Sequence, residues 1–256
     1  MTLPPITTKQ QEIIKLLYKY RFLNRIQIQQ LLNHKDKRRI ISWLKDLREK
    51  QYIDWHYDST DFVAKSRPAI YYVSLNAIRY LRDQNQYPNP ELKKRYKEPE
   101  RTQVFIDRCL LVADCCITLR DKSDNAVLYR FILPTDYIGM TNQYHFLADL
   151  QPHLYFSKHQ DNKVINYLLE NFDAALPRYH LRKRLKDYID FIDEWGATNQ
   201  PKPIALFVCA NIADLLYAKR RMRKIMEEEG IDLQARVTTL EKIETSGVTS
   251  MIWEEV

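Results

Sequence analysis

Glycine is scarce in this chain of 256 residues. The four, Gly139, Gly196, Gly230 and Gly247, stand far apart, so no glycine-rich turn brings backbone amides against a pyrophosphate, and a P-loop and a dinucleotide-binding fingerprint are excluded. Long apolar runs are missing too. No window approaches the roughly 18 consecutive apolar residues of a membrane span. The start, MTLPPITTKQ, has neither the apolar core of a secretory signal nor an Arg-rich amphipathic helix, so a cytoplasmic protein with no membrane partner is expected. Cys109, Cys115, Cys116 and Cys209 form no C-x-x-C pair, and no histidine cluster stands near them at zinc-ligand spacing. Buried free thiols are expected, with no metal and no other cofactor. The chain is 45% apolar, 29% charged and 12% aromatic, enough for one large core or two smaller ones.

The net charge is +7, and its placement says more than its size. Residues 1–100 hold 20 Lys+Arg against 11 Asp+Glu, a net of +9, whereas residues 101–256 hold 20 against 22, a net of −2. The N-terminal part therefore has the character of a surface that faces a polyanion. Residues 84–100 are polar, punctuated by Pro88, Pro90 and Pro99, and almost free of aliphatics. They read as a linker between residues 1–83 and 101–256.

Before that linker, Thr8-x-x-Gln11 suits a capping box opening a helix with Ile13, Leu16, Leu17 and Tyr20 on one face. Asn24-x-x-Gln27 suits a second box before a shorter helix that buries Ile28, Leu31 and Leu32. A third helix spans about Lys37 to Lys50. Then come alternating Ile53, Trp55 and Tyr57, a polar turn at residues 58–61, the basic Lys65-Ser66-Arg67-Pro68 and the β-rich Ile70-Tyr71-Tyr72-Val73. Leu75 to Arg82 forms one more helix. Three helices and a hairpin in this order are those of a winged helix-turn-helix. At about 100° per residue, Ile40, Trp43, Leu44 and Leu47 of the third helix share one arc, and Lys37, Arg38, Ser42, Lys45 and Arg48 fall opposite. Such a helix fits a major groove, its cations on phosphates or guanine edges and Ser42 on either, while Lys65 and Arg67 reach the flanking backbone or minor groove. A merely solvated charged face is the plain alternative.

After the linker, Phe105, Cys109, Val112, Cys116 and Leu119 recur at helical steps. Strands are expected over Ala126 to Leu133 and along Tyr144 to Leu150 and His153 to Phe156, these two stretches forming one arm of a hairpin. The last leads through the turn His159-Gln160-Asp161-Asn162 into Lys163 to Glu170. A helix follows from about Pro177 to Trp195, then the apolar strand Ile204 to Cys209, a helix capped by Asn211 that runs to about Glu229 and is ended by Gly230, and a strand Ala235 to Leu240. The order α-β-β-β-α-β-α-β is that of the restriction-endonuclease-like core. The fold class expected is thus α+β: an N-terminal winged helix-turn-helix followed by a mixed α/β restriction-endonuclease-like domain.

Several stretches carry a family resemblance across nearly the whole chain. They are Ile70-Tyr71-Tyr72-Val73-Ser74-Leu75-Asn76-Ala77-Ile78-Arg79-Tyr80-Leu81, Leu150-Gln151-Pro152-His153, Leu169-Glu170-Asn171-Phe172-Asp173 and a basic helix ending in Lys186-Asp187-Tyr188. With the winged-helix order before them, they resemble the replication-relaxation family of plasmids and integrated mobile elements. The resemblance implies a DNA-associated accessory protein of element replication, copy-number control or transfer, with double-stranded DNA as partner. A second copy of the chain or a replication or transfer protein is the further partner considered.

The chemistry of the nuclease fold departs from its pattern here. That fold uses an aspartate after a proline, an acidic residue on the next strand and a lysine two residues later to hold Mg²⁺ and orient water. Pro152 is followed by His153, and Phe172 stands two residues after Glu170. Histidine is a poor ligand for a hard ion, and phenylalanine cannot polarise water. Asp149 lies too far along the strand to share an ion with position 153. Glu170 and Asp173 stay together, with Lys183 or Lys186 as the substitute lysine. A vestigial site of His153, Glu170 and Asp173 without catalysis is expected. The alternatives are a metal-dependent endonuclease of a mobile element and a winged-helix transcriptional regulator. Half-buried structural roles are the plain reading of His153 and His145. Arg178, Arg182, Lys183 and Lys186 offer a second phosphate surface, against which stand ordinary pairs, Lys183 with Asp187 and Lys186 with Asp190. The tail from Ser246 to Val256 is either an extra strand or a docking segment.

Overall fold

A computed structural model describes residues 2–58, 60, 62–124, 126–137, 144, 146–197, 201–249 and 251–256. His145, and Ser59 and Asp61 of the polar turn, lie outside the described residues. The chain divides into two compact units, Met1–Ile117 and Thr118–Val256.

The first unit opens with α1 (Thr8–Tyr20), capped one residue earlier than the Thr8 pattern suggests. The Thr7 hydroxyl accepts from the Gln10 amide and the Gln10 side chain accepts from the Thr7 amide, at 3.4 and 2.9 Å. Thr7/Gln10 and Thr8/Gln11 satisfy the same motif; buried Gln10 donates to Asp46 at 2.6 Å, which selects the first. The strand β1 (Leu23–Asn24) leads into α2 (Arg25–Leu31), where Asn24 and Gln27 form the expected capping box. Asp36 caps α3 (Lys37–Glu49), accepting from the Arg38 amide at 2.8 Å. The strands β2 (Ile53–His56) and β3 (Ile70–Val73) pair antiparallel, Trp55 opposite Tyr71, and the sheet order is β1-β3-β2. Between them sits α4 (Phe62–Ser66), a short helix where a turn and a basic segment are expected. The helix α5 (Leu75–Asp83) follows.

Residues 84–100, expected as a linker, are folded. Pro90 lies in the first turn of α6 (Asn89–Arg95) and starts the helix rather than breaking the chain. Glu91, Leu92, Arg95 and Glu98 are buried. The Glu98 carboxylate accepts both Arg21 Nε and an Arg21 terminal nitrogen at 2.8 Å, with Arg95 at 3.4 Å and Arg101 at 3.5 Å. Arg95 also lies 4.9 Å over the Tyr18 ring and donates to the Tyr18 carbonyl. The stretch lacks aliphatics because its interior is ionic. The helix α7 (Gln103–Asp121), expected to open the second domain, packs Ile106, Phe105, Cys109 and Leu110 against Phe22 and Tyr72 of the first unit, so the division falls after Ile117 and not within 84–100.

In the second unit the strands are β4 (Val127–Ile132), β5 (Leu154–Gln160), β6 (Lys163–Phe172), β7 (Ile204–Cys209), β8 (Ala235–Thr239) and β9 (Glu254–Glu255), hydrogen-bonded in that order. The β6–β7 and β7–β8 pairs are parallel and the others antiparallel. The hairpin turn is confined to Asp161 and Asn162, with φ of 50° and 60°, the two positive angles that a two-residue type I′ turn demands. Around β4 come the short α8 (Pro134–Tyr137) and α9 (Leu147–Leu150). The latter replaces part of the strand expected over Tyr144 to Leu150 and takes Asp149 off any strand. Phe146, Ala148 and Leu150 alternate like a strand, but buried Leu147 and Leu150 share a helical face and decide the outcome.

The crossover helices α10 (Arg178–Asp193) and α11 (Ile212–Glu229) pack on one sheet face, burying Leu181, Leu185 and Ile189 with Phe207 and Val237. All of β7 is buried, and Gly230 ends α11 at φ 67°, both as expected. The tail continues through α12 (Leu240–Ser246) into β9, so it is the extra strand. Among the described residues, no helix is long and apolar enough to cross a membrane.

Glu98→Ala leaves three guanidinium groups around a vacated interior position and is expected to cost about 3–5 kcal/mol. Lys9→Ala removes only an exposed pair with Glu12 and is expected to cost less than about 1 kcal/mol. Urea unfolding of the two variants against the native chain measures the contrast; equal midpoints would refute it.

Candidate nucleic-acid interface and the Glu170 cluster

The helix α3 turns its two faces as its periodicity predicts. Ile40, Leu44 and Leu47 are buried and Trp43 is half-buried, its ring 5.0 Å from His34. Lys37, Arg38, Ser42, Lys45 and Arg48 are exposed, as is Arg39, a cation outside the expected set. Arg39 adds charge at the end of α3 that Asp36 caps. Two of the cations have partners within their own unit. The Arg48 guanidinium lies 3.6 Å over the Trp55 ring and 3.5 Å from Asp54, both on β2. Lys45 lies 3.8 Å from Glu49 with both side chains largely solvated, a contact worth little. Lys65 in α4 and Arg67 after it are also exposed. Helix and hairpin are thus tied through Arg48 and Trp55, and the cations at 37, 38 and 39 project from one end of the helix.

The expected vestigial site is a closed ionic cluster. Glu170 on β6 is buried, and its two oxygens accept Arg184 at 2.9 and 3.1 Å and the Tyr188 hydroxyl at 2.8 Å. Arg184 also donates to the carbonyls of Leu150 and Gln151 at 2.7 and 3.1 Å, tying α10 to the C-terminal end of α9. His153 stands 3.6 Å from Glu170 through Nε2, while its Nδ1 accepts the Asn171 amide at 3.0 Å. Burial alone would push the Glu170 carboxyl up, but His153, the Arg184 hydrogen bonds and charge, and the Tyr188 hydroxyl outweigh it and hold the group below its ordinary range. Burial, and then the Glu170 charge, push the Tyr188 hydroxyl well up.

Asp173 takes no part in this cluster as far as the described contacts go; its carboxylate accepts the Ala175 amide at 3.1 Å in a local turn. Phe172 is buried and stacks on Phe207 at 5.5 Å. The donor set does not fit a hard divalent cation: its one buried carboxylate is already neutralised by a guanidinium, and its imidazole spends Nδ1 on the backbone. Among the described residues, no group of three or more His, Cys, Asp or Glu is placed to hold a metal ion. Arg184 and Tyr188 are absent from the sequence-derived site, although a signal existed. Leu181, Arg184, Leu185 and Tyr188 follow at helical steps, which puts Arg184 at the edge of the buried stripe rather than in the solvent.

Of the second basic surface, Arg178, Arg182, Lys183 and Lys186 are exposed on α10. Lys186 binds Asp190 at 3.0 Å and Glu229, at the end of α11, at 2.6 Å. The second contact joins α10 to the end of α11. Arg178 lies 5.2 Å over the Tyr217 ring. Among the described residues, Lys183 makes no ion pair with Asp187. None of the four cysteines is in a disulfide. Cys115, Cys116 and Cys209 are buried and Cys109 is half-buried, and burial pushes the Cys109 and Cys209 thiols up to about 12.

A depressed carboxyl adds stability above its unfolded value and loses it as pH falls through the folded one. The gap in unfolding free energy between the native chain and Glu170→Gln is therefore expected to be full at neutral pH and to close as pH falls below 4.5, the ordinary value of this group. Urea titrations across that range check it; a gap independent of pH would refute the ionised cluster.

Residues 14–203 match the replication-relaxation family. No curated protein matches the chain. Among solved structures, it is similar to a double mutant of ZitR from Lactococcus lactis, at 16% identity and a TM-score of 0.27, over 46% of this chain and 76% of that one. It is also similar to the restriction endonuclease FokI bound to DNA, at 15% identity and a TM-score of 0.32, over 94% of this chain and 44% of that one. A second FokI structure gives 13% identity and a TM-score of 0.35, over 96% and 46%. The chain spans less than half the length of the FokI chains it matches. With most of its length inside the match, the protein belongs to the replication-relaxation family.

Proposed function

We propose that this protein is a DNA-binding accessory protein of plasmid or mobile-element replication, copy-number control or transfer, acting without catalysis. In this reading α1, α2 and α3 with the β2–β3 hairpin form a winged helix-turn-helix that grips duplex DNA, α3 entering the major groove and the segment around Lys65 and Arg67 lying on the flanking backbone. The observation that carries it is the division of α3 into a seated face of Ile40, Leu44 and Leu47 and an exposed face of Lys37, Arg38, Lys45 and Arg48. The charge of +9 over residues 1–100 favours a polyanion as the partner of that face. Arg48, held by Trp55 and Asp54, aligns helix and hairpin and contributes less to phosphate binding than its neighbours. Family membership supports the setting in element replication or transfer. The plain alternative, a solvated helix, predicts no salt dependence of binding.

The non-catalytic part of the reading draws on Glu170. Both of its oxygens are taken by Arg184 and Tyr188, and position 172 holds a stacked phenylalanine. Phosphodiester cleavage in a fold of this kind needs metal charge and an activated water, and these side chains supply neither.

Two measurements test the reading. Fluorescence anisotropy on labelled duplex DNA is expected to show a Kd that weakens steeply with salt, and the double variant Lys37→Glu/Lys45→Glu to flatten the log–log slope by about 2. An unchanged slope would remove α3 from the interface. Supercoiled plasmid incubated with the protein and Mg²⁺ or Mn²⁺ is expected to stay uncut; nicking abolished by Glu170→Ala would make the protein an endonuclease.

A further inference from the structure

The second unit carries a groove that none of these roles uses. It lies on the sheet face turned away from Tyr155, Leu168 and Phe207, the residues that pack under α10 and α11. By strand alternation, Tyr129, Phe156, Lys158, Tyr167, Leu206 and Arg236 share this opposite face. Phe156 and Tyr167 are cross-strand partners whose rings stack at 4.7 Å and 14°, and the Tyr129 ring stands 6.3 Å from Phe156. Trp253, from the tail, borders the same groove. Its indole N–H donates to the Val248 carbonyl at 2.9 Å, which holds the ring in place. The groove is open to solvent and its volume is about 400 Å³.

The chemistry of this lining is selective. Tyr129, Tyr167 and Trp253 are half-buried, so each keeps some ring surface for a ligand. Lys158 and Arg236 are the cations of the lining, and no carboxylate lines it. Arg236 has a loose contact with the solvated Glu255 at 3.7 Å, and among the described residues Lys158 has no ion-pair partner. Among the described residues neither cation is closely paired with an acid, and both line a π-rich groove. A ligand that complements it needs a flat aromatic body and a negative charge. A base and its phosphate answer that description, and the base must be unpaired, because paired bases in a duplex keep their faces for each other.

We propose that this groove binds single-stranded nucleic acid, with a base against Tyr129, Tyr167 and Trp253 and its phosphate at Lys158 and Arg236. The site is independent of the duplex reading of α3, since it is built entirely from the second unit. It would give the protein a contact to an opened strand in addition to a duplex.

The test uses the full chain with an oligothymidylate of about a dozen nucleotides, a length within reach of common single-strand sites. Binding is expected to quench tryptophan emission, and the part of the quench due to this groove to vanish in Trp253→Phe. Lys158→Ala, which removes no packed ring, and Tyr129→Ala are each expected to weaken the oligonucleotide about tenfold while leaving duplex affinity unchanged. Lys37→Glu/Lys45→Glu is expected to do the reverse, so that failure here is distinguishable from failure of the duplex reading. Absence of oligothymidylate binding, equal affinity in Lys158→Ala and the native chain, or loss of binding in the α3 variant would each overturn the proposal. Thymidine monophosphate supplies the same base and phosphate from a free nucleotide: weak competition supports the strand, and competition as strong as that of the oligonucleotide overturns it in favour of a nucleotide site.

Discussion

An ionised side chain can be taken out of water only if something inside answers its charge, and that constraint organises both units of this protein. In the first, Glu98 is answered by Arg21, Arg95 and Arg101. In the second, Glu170 is answered by Arg184, with Tyr188 and His153 completing its surroundings. Each cluster joins segments distant in sequence. Arg21 and Glu98 bring the end of α1 to the residues after α6, and Glu170 and Arg184 hold β6, α10 and the end of α9 together. Arg21 sits at φ 71°, an unfavourable angle for a residue with a side chain, and its two bonds to Glu98 help to hold it there.

The same constraint separates what was legible in the sequence from what was not. The two faces of α3, the box at Asn24 and Gln27, the strand Ile204–Cys209 and the stop at Gly230 are local patterns, decided within one or two turns of chain, and they stand where the residues put them. Residues 84–100 defeated the same approach because polarity there marks a buried ion network rather than solvent. The helix over Leu147–Leu150 was hidden because its apolar residues satisfy both periods at once. Whether Thr7 or Thr8 caps α1 depends on Asp46, a residue 36 positions downstream of Gln10.

At the Glu170 cluster, the departures at His153 and Phe172 were plain from spacing alone, yet the identity of the carboxylate's partner was not. Arg184 reads as one more cation in a basic run until β6 is placed beside α10. The consequence is chemical. Such a carboxylate is an anion inside a salt bridge, with its lone pairs directed at donors of the chain itself, and it ties β6 to α10. Polar residues at a familiar motif position therefore need their neighbours in space before a role is attached to them.

The last strand, β9, has a bearing on solubility. It is only Glu254 and Glu255, laid along β8 at the rim of the sheet, and Glu254 is clamped by Lys219 and Lys242 at 3.2 Å each. Without it, β8 would offer a stranger's backbone a row of open amides and carbonyls, the template from which intermolecular stacking grows. Two glutamates are a poor surface on which to continue that stacking, so this short cap blunts the edge at β8.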